Sequence, residues 1–170
     1  MKVYLASPWF KNNERVMYTQ ILQKMRAEGL EVYAPVEHEV PNAWDLSNAD
    51  WGRAVFIADI DAIKECDEVW VLNFGMYSDT GTAWECGYAY GLGKTVRQLV
   101  YDFTEDKVFS LMMINGCEEV DSMGNYLFNR NDELKTYSNE AYLGNKMTQV
   151  RIKGRSKTEF YGKGKLNEKF

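Results

Sequence analysis

The chain is expected to fold as an α/β domain, because short apolar runs alternate with longer amphipathic stretches along most of its 170 residues. Glycine and proline fall between the segments, where strands hand over to helices. Strands separated by helices of this length pair in parallel through βαβ units, with helices on both faces.

Lys2–Ala6 is a short apolar run ended by Ser7-Pro8 and reads as a buried first strand. Asn12 or Asn13 can cap a helix to Glu28, with Val16, Ile21, Leu22 and Met25 on its buried face and Gly29 as its stop. Glu31–Ala34, before Pro35, gives a second strand. A polar loop carrying Glu37, His38 and Glu39 follows, and Ser47 or Asn48 opens a helix to about Cys66. Val69–Asn73 is the third strand. A loop with Gly75 and Gly81 leads to a helix from about Ala83 to Leu92, ended by Gly93. Thr95–Tyr101 is a fourth strand, and Asp106 can cap a short helix through Met113. A weak strand near Cys117–Val120 and a helix around Met123–Leu134 complete the set. This order suits a flavodoxin-like, doubly wound, five-stranded parallel sheet, whose ligands sit beyond the carboxyl ends of the strands.

Composition narrows the function. Hydrophobic content of 45% and charged content of 26% describe an ordinary globular domain. A net charge of -5 argues against a nucleic-acid partner, which needs a basic surface. From Lys146 to the end, eight lysines and arginines face only Glu159 and Glu168, so residues 146–170 read as a basic tail behind a catalytic domain of residues 1–145. Cys66, Cys86 and Cys117 have neither disulfide nor zinc spacing, and no metal or cofactor is expected. The opening Met-Lys-Val-Tyr-Leu-Ala lacks a signal-peptide pattern and no apolar run reaches membrane length, which leads to an expectation of a cytoplasmic protein without membrane contact. The aromatic share of 14% can stack on a planar base or fill the core.

Two carboxylates are out of place. Phe56, Asp59, Ile63 and Cys66 recur at three-and-four spacing on one helix face, three apolar and one acidic. An unpaired, ionised Asp59 in that stripe would be costly, so it should be paired, protonated or facing a cavity. Glu85 has a plainer reading, since Thr82-Ala-Trp-Glu85 has the capping-box spacing. Yet the run from Ser78 to Glu85 follows the third strand, where a ligand crevice is expected. Its small residues leave room for a ligand, and a helix N-terminus would help keep Glu85 ionised. Asp59, Asp79 and Glu85 could meet in one pocket, and glycosidic cleavage needs two or three such carboxylates. His38, the single histidine, has no partner in view for a Ser-His-Asp system. Gly91-Leu-Gly93 lacks the rest of a dinucleotide fingerprint.

Three segments in order resemble the nucleoside 2-deoxyribosyltransferase family: Val3–Phe10 (VYLASPWF), Asp59–Lys64 (DIDAIK) and Asp79–Ala89 (DTGTAWECGYA). The resemblance covers roughly Lys2 to Asp121. It implies that Glu85 attacks C1′ of a deoxynucleoside to form a covalent deoxyribosyl-enzyme and that the Tyr4 hydroxyl positions its carboxylate. Asp59 and Asp79 match acids that bind and protonate the departing base or hold the sugar hydroxyls. Attack by a second base gives exchange; attack by water gives hydrolysis. Trp9 and Phe10 follow the transferase pattern, and with Gly81 they are expected at the substrate. Glu39 stands where a transferase glutamine would contact the base.

Val108–Met112 is similar to the stretch that reaches a neighbouring subunit's site in this family. This implies a homo-oligomer with shared sites, to which Ser110 and Met112 contribute. Ser110 replaces the usual asparagine and is reminiscent of the related deoxynucleoside 5′-monophosphate N-hydrolases. The expected function is transfer of 2-deoxyribose from a nucleoside to a free nucleobase. An N-glycosidase acting on a deoxynucleoside or its 5′-monophosphate is the alternative. A non-catalytic nucleotide-binding domain, with Glu85 as a helix cap, is a third reading.

Overall fold

The computed structural model describes residues 1–75, 79–103 and 108–132, together with the backbone of 134–138 and 149–152. Its strands are β1 (Lys2–Ala6), β2 (Glu31–Tyr33), β3 (Glu68–Asn73), β4 (Thr95–Val100), β5 (Val108–Phe109), β6 (Glu119–Ser122), β7 (Leu134–Ser138) and β8 (Gln149–Ile152). Its α-helices are α1 (Asn12–Ala27), α2 (Asn48–Glu65), α3 (Thr80–Gly91), α4 (Leu111–Asn115) and α5 (Met123–Phe128).

The main sheet has the order β2-β1-β3-β4-β6, with every adjacent pair parallel. This is the expected five-stranded α/β arrangement, and the strand order reverses between β1 and β3. The pleat of β1 sorts its side chains between two cores. Val3 and Leu5 join Tyr18, Ile21 and Met25 of α1 and Met123 of α5 on one face. Tyr4 and Ala6 join Ile63 of α2, Cys86 and Ala89 of α3 and Met113 of α4 on the other. Tyr4 therefore lies under the helices that carry the candidate carboxylates.

Several boundaries differ from expectation. The N-cap of α1 is Lys11, because buried Glu14 reaches back to accept from the Lys11 and Phe10 amides, both at 2.9 Å. The α3 helix begins at Thr80, with Asp79 as its cap. Asp106 lies outside the described residues, and Ser110 is the N-cap of α4. The expected helix at Met123–Leu134 stops at Phe128, where Asn129 adopts a left-handed conformation with φ of 51°. Leu134 instead opens β7, which pairs with β5 and β8 in a second, three-stranded sheet. Residues 149–152 of the expected basic tail thus form a strand, and the rest of that tail lies outside the described residues. Among the described residues, no helix is long and apolar enough to cross a membrane.

Candidate active site

The site lies beyond the carboxyl ends of β1 and β3, and a buried polar network shapes the turn that enters it. Asn73 at the end of β3 donates to Gln98 Oε1 at 2.9 Å and accepts from the Gly75 amide at 3.0 Å. Gln98 in turn donates to Cys86 Sγ and the Met113 carbonyl. Gly75 has a φ of 113°, a region that side chains with a Cβ rarely adopt. Met76, Tyr77 and Ser78 lie outside the described residues.

The chain re-enters at Asp79, whose Oδ2 accepts from the Thr82 amide at 2.8 Å and the Thr82 hydroxyl at 3.3 Å. Gly81 is required by this cap, because a Cβ there would lie 2.8 Å from that oxygen. The space opened by Gly81 therefore receives the Asp79 carboxylate. Since Asp79 starts the helix, Glu85 stands in its second turn and has no capping role. The structure thus overturns the plainer reading of Glu85.

The Glu85 carboxylate instead accepts the Tyr4 hydroxyl at 2.8 Å. Burial pushes the Glu85 carboxyl up to about 7, opposed by the Tyr4 hydrogen bond and reinforced by the charges of Asp59 and Asp79. Because Asp79 caps α3, Glu85 lies one turn inside the helix start that was expected to help keep it ionised, and burial is the largest influence on its carboxyl. Asp59 is also raised, chiefly by burial, while the Tyr4 hydroxyl and His38 pull it down. Glu85 thus has Tyr4 as its hydrogen-bond donor, as the resemblance implied, and feels the charges of Asp59 and Asp79, the two acids that the sequence set beside it. The stripe that singled out Asp59 is buried only at its C-terminal half. Ile63 and Cys66 are in the core, whereas Phe56 is 53% exposed and lies against Trp84.

The remaining expected contacts are dispersed. Phe10 and Glu39 are exposed in the loops after β1 and β2. Trp9 turns its ring onto Tyr18, edge to face at 4.8 Å. It lines a cavity of about 320 Å³ with Arg26 and Glu37. Ser110 and Met112 line a second cavity, of about 570 Å³, against Thr80, Ala83, Gly87 and Tyr90. At about 100° per residue Glu85 points to the opposite side of α3 from that stripe. Ser110 and Met112 are therefore remote from the Glu85 of their own chain.

One neighbour was not anticipated. His38 stacks on Tyr33 at 4.0 Å and 5° between planes, and Tyr33 stacks on Tyr4 at 5.5 Å. Residue spacing could not reveal this, since the turn at Pro35–Glu37 brings His38 back over β2. Among the described residues, no group of three histidine, cysteine, aspartate or glutamate side chains could hold a metal ion.

The sequence model described as Nucleoside 2-deoxyribosyltransferase matches residues 3–141. No curated protein sequence matches. A solved 2-deoxyribosyltransferase from Bacillus psychrosaccharolyticus is 29% identical, with a TM-score of 0.64. That alignment covers 75% of this chain and 90% of the other. A conserved protein from Enterococcus faecalis V583 shares the fold, at 24% identity and a TM-score of 0.51 over 61% of this chain and 65% of its own. A Clostridium botulinum CMP N-glycosidase is 24% identical, with a TM-score of 0.42 over 62% of this chain and 73% of its own.

Proposed function

Because the chain belongs to the nucleoside 2-deoxyribosyltransferase family, we propose that it moves 2-deoxyribose between nucleobases, with Glu85 as the nucleophile. The observation that carries this reading is the half-buried Glu85 carboxylate, held by the Tyr4 hydroxyl at 2.8 Å and within reach of the charges of Asp59 and Asp79.

In the first step a Glu85 oxygen bonds to C1′ as the bond from C1′ to the base nitrogen breaks. The electron pair leaves with the base, which takes up a proton. Asp59 suits the proton donor, since burial favours its protonated form. Asp79 is assigned to a sugar hydroxyl, its carboxyl fixed at the start of α3 by the Thr82 amide. In the second step a nitrogen of another base attacks C1′, its proton returns to the acid and the Glu85 ester bond breaks. Two inversions give net retention. Phe10 and Glu39, on the loops after β1 and β2, are assigned to the substrate side, whereas the ring of Trp9 faces Tyr18.

Ser110 and Met112 are assigned to a second subunit's site, since they lie across α3 from their own Glu85. The exposed apolar side chains of Trp51, Phe56, Ile57 and Trp84 on α2 and α3 support such an assembly.

The test is incubation with a 2′-deoxynucleoside and a different free base. Transfer yields the new nucleoside, and Glu85→Ala yields none while remaining folded. If the donor decays to base and sugar whatever acceptor is present, the protein is an N-glycosidase and the transfer reading fails.

A further inference from the structure

Two amide side chains sit on a face of the sheet that is otherwise apolar. Asn73 of β3 and Gln98 of β4 are 0% and 1% exposed, beside Val71, Val96 and Val100 in the core under α3 and α4. The register pairs Val71 with Gln98 and Asn73 with Val100, so the two amides are diagonal neighbours across the ladder. An amide at that depth is costly unless its polar atoms find partners.

Gln98 finds them on three elements. Its Oε1 accepts from Asn73 Nδ2 at 2.9 Å, and its Nε2 donates to Cys86 Sγ at 3.8 Å and to the Met113 carbonyl. A carbonyl only accepts, so the Met113 oxygen fixes which way the Gln98 amide faces. Turned over, the amide would set oxygen against oxygen. Asn73 is oriented in its turn, with Nδ2 toward Gln98 and Oδ1 accepting from the Gly75 amide at 3.0 Å. Directional bonds thus run from α4 through β4 and β3 to the turn that leads toward Asp79. A branch reaches Cys86, the residue after Glu85.

We propose that Gln98 is a positioning residue for the reaction, holding the Gly75 turn through Asn73 and the Glu85 segment of α3 through Cys86. This rests on the reading of Glu85 as the nucleophile and Asp79 as a sugar contact.

Stability does not call for two amides here. Apolar side chains of similar size would continue the valine surface, and replacing both partners of a buried hydrogen bond in this way is nearly neutral or stabilising. The Met113 carbonyl would keep the Gly116 amide, at 3.1 Å. Apolar contacts fill space without fixing direction, whereas the bonds of Gln98 set direction. Direction matters at a reacting centre, where a displacement of about 1 Å can cost about a hundredfold in rate.

The experiment uses the full chain with Gln98→Met and Asn73→Leu, singly and together. Base release from a 2′-deoxynucleoside gives kcat, urea melts give the folded fraction, and NMR follows exchange of the Gly75 amide with water. Each single variant is expected to lose about tenfold or more in kcat while folded. The double variant is expected to lose no more than the worse single, because the two amides act as one unit. In Gln98→Met the Gly75 amide is expected to exchange about tenfold faster or more, although Gln98 reaches it only through Asn73. Where Gln98→Met does not fold, Gln98→Asn, which draws the amide back by a methylene, takes its place. A kcat within about twofold of wild type in a folded single variant overturns the proposal, as do losses that multiply in the double variant. A loss that merely matches the unfolded fraction also overturns it, marking the pair as packing alone. If the wild-type protein cleaves no nucleoside, the function reading fails separately, and exchange of the Gly75 amide still decides whether Gln98 holds the turn.

Discussion

Replacing Tyr4 with phenylalanine removes one oxygen from the base of the site and leaves the ring in place. Tyr4 is fully buried, and its ring packs with Tyr33, so the substitution creates no sizeable cavity. What it removes is the 2.8 Å hydrogen bond to Glu85. A hydrogen bond to a charged group contributes about 1.5–3 kcal/mol, which is about one to two pH units on the carboxyl it serves. This bond acts downward on a group that burial has already pushed to about 7. Wild-type Glu85 is therefore about half ionised at pH 7, and after a rise of about one unit it would be about one-tenth ionised. Following release of base from a deoxynucleoside across pH 5–10 should show kcat/KM falling about fivefold at pH 7 in Tyr4→Phe. Much of that loss should return by pH 9. An unmoved acidic limb, or a loss independent of pH, would refute the assignment of Tyr4 as the group that holds Glu85 ionised.

Other outcomes follow from the same geometry. The Glu85 carboxyl titrates higher folded than its ordinary value of 4.5, so the folded state holds its proton more tightly and loses stability as pH rises from about 4.5 to 7. Glu85→Gln should therefore stabilise the fold at pH 8, by up to about 3 kcal/mol, with the gain vanishing near pH 4.5; paired urea melts check this. Asp79→Ala should cost about 1 kcal/mol by removing the α3 cap, and Asp79→Asn should restore most of it, by the same melts. Gly81→Ala, a change that stabilises most helix interiors, should instead destabilise here because the new Cβ displaces Asp79. In the Asp79→Ala background the sign should revert to stabilising.

The sheet was legible because parallel strands buried on both faces read as short apolar runs between helical repeats. The place of Asp79 and Glu85 was legible for a related reason, since the start of α3 follows a strand at the order reversal; Asp59 was betrayed by its apolar stripe, and Tyr4 only by the family resemblance. The cap of α3 was not, because Asp79, Thr80 and Thr82 all have side chains that can cap. The choice of Asp79 depends on the room left by Gly81, a contact in space. The upward push on Glu85 was not legible, because spacing reveals a helix start and conceals desolvation. Phe56 misled in the opposite direction: its helical spacing continues the Ile63 stripe, yet that end of α2 is exposed. The His38 stack required the path of a loop, and the remoteness of Ser110 from Glu85 required the placement of α4.

The most direct measurement is the intact mass of the protein quenched during turnover of a 2′-deoxynucleoside with no acceptor base, followed by peptide mapping. The account predicts an added deoxyribosyl group on Glu85 that is discharged when a free base is supplied. An adduct on another residue, or wild-type turnover by Glu85→Ala, would contradict it.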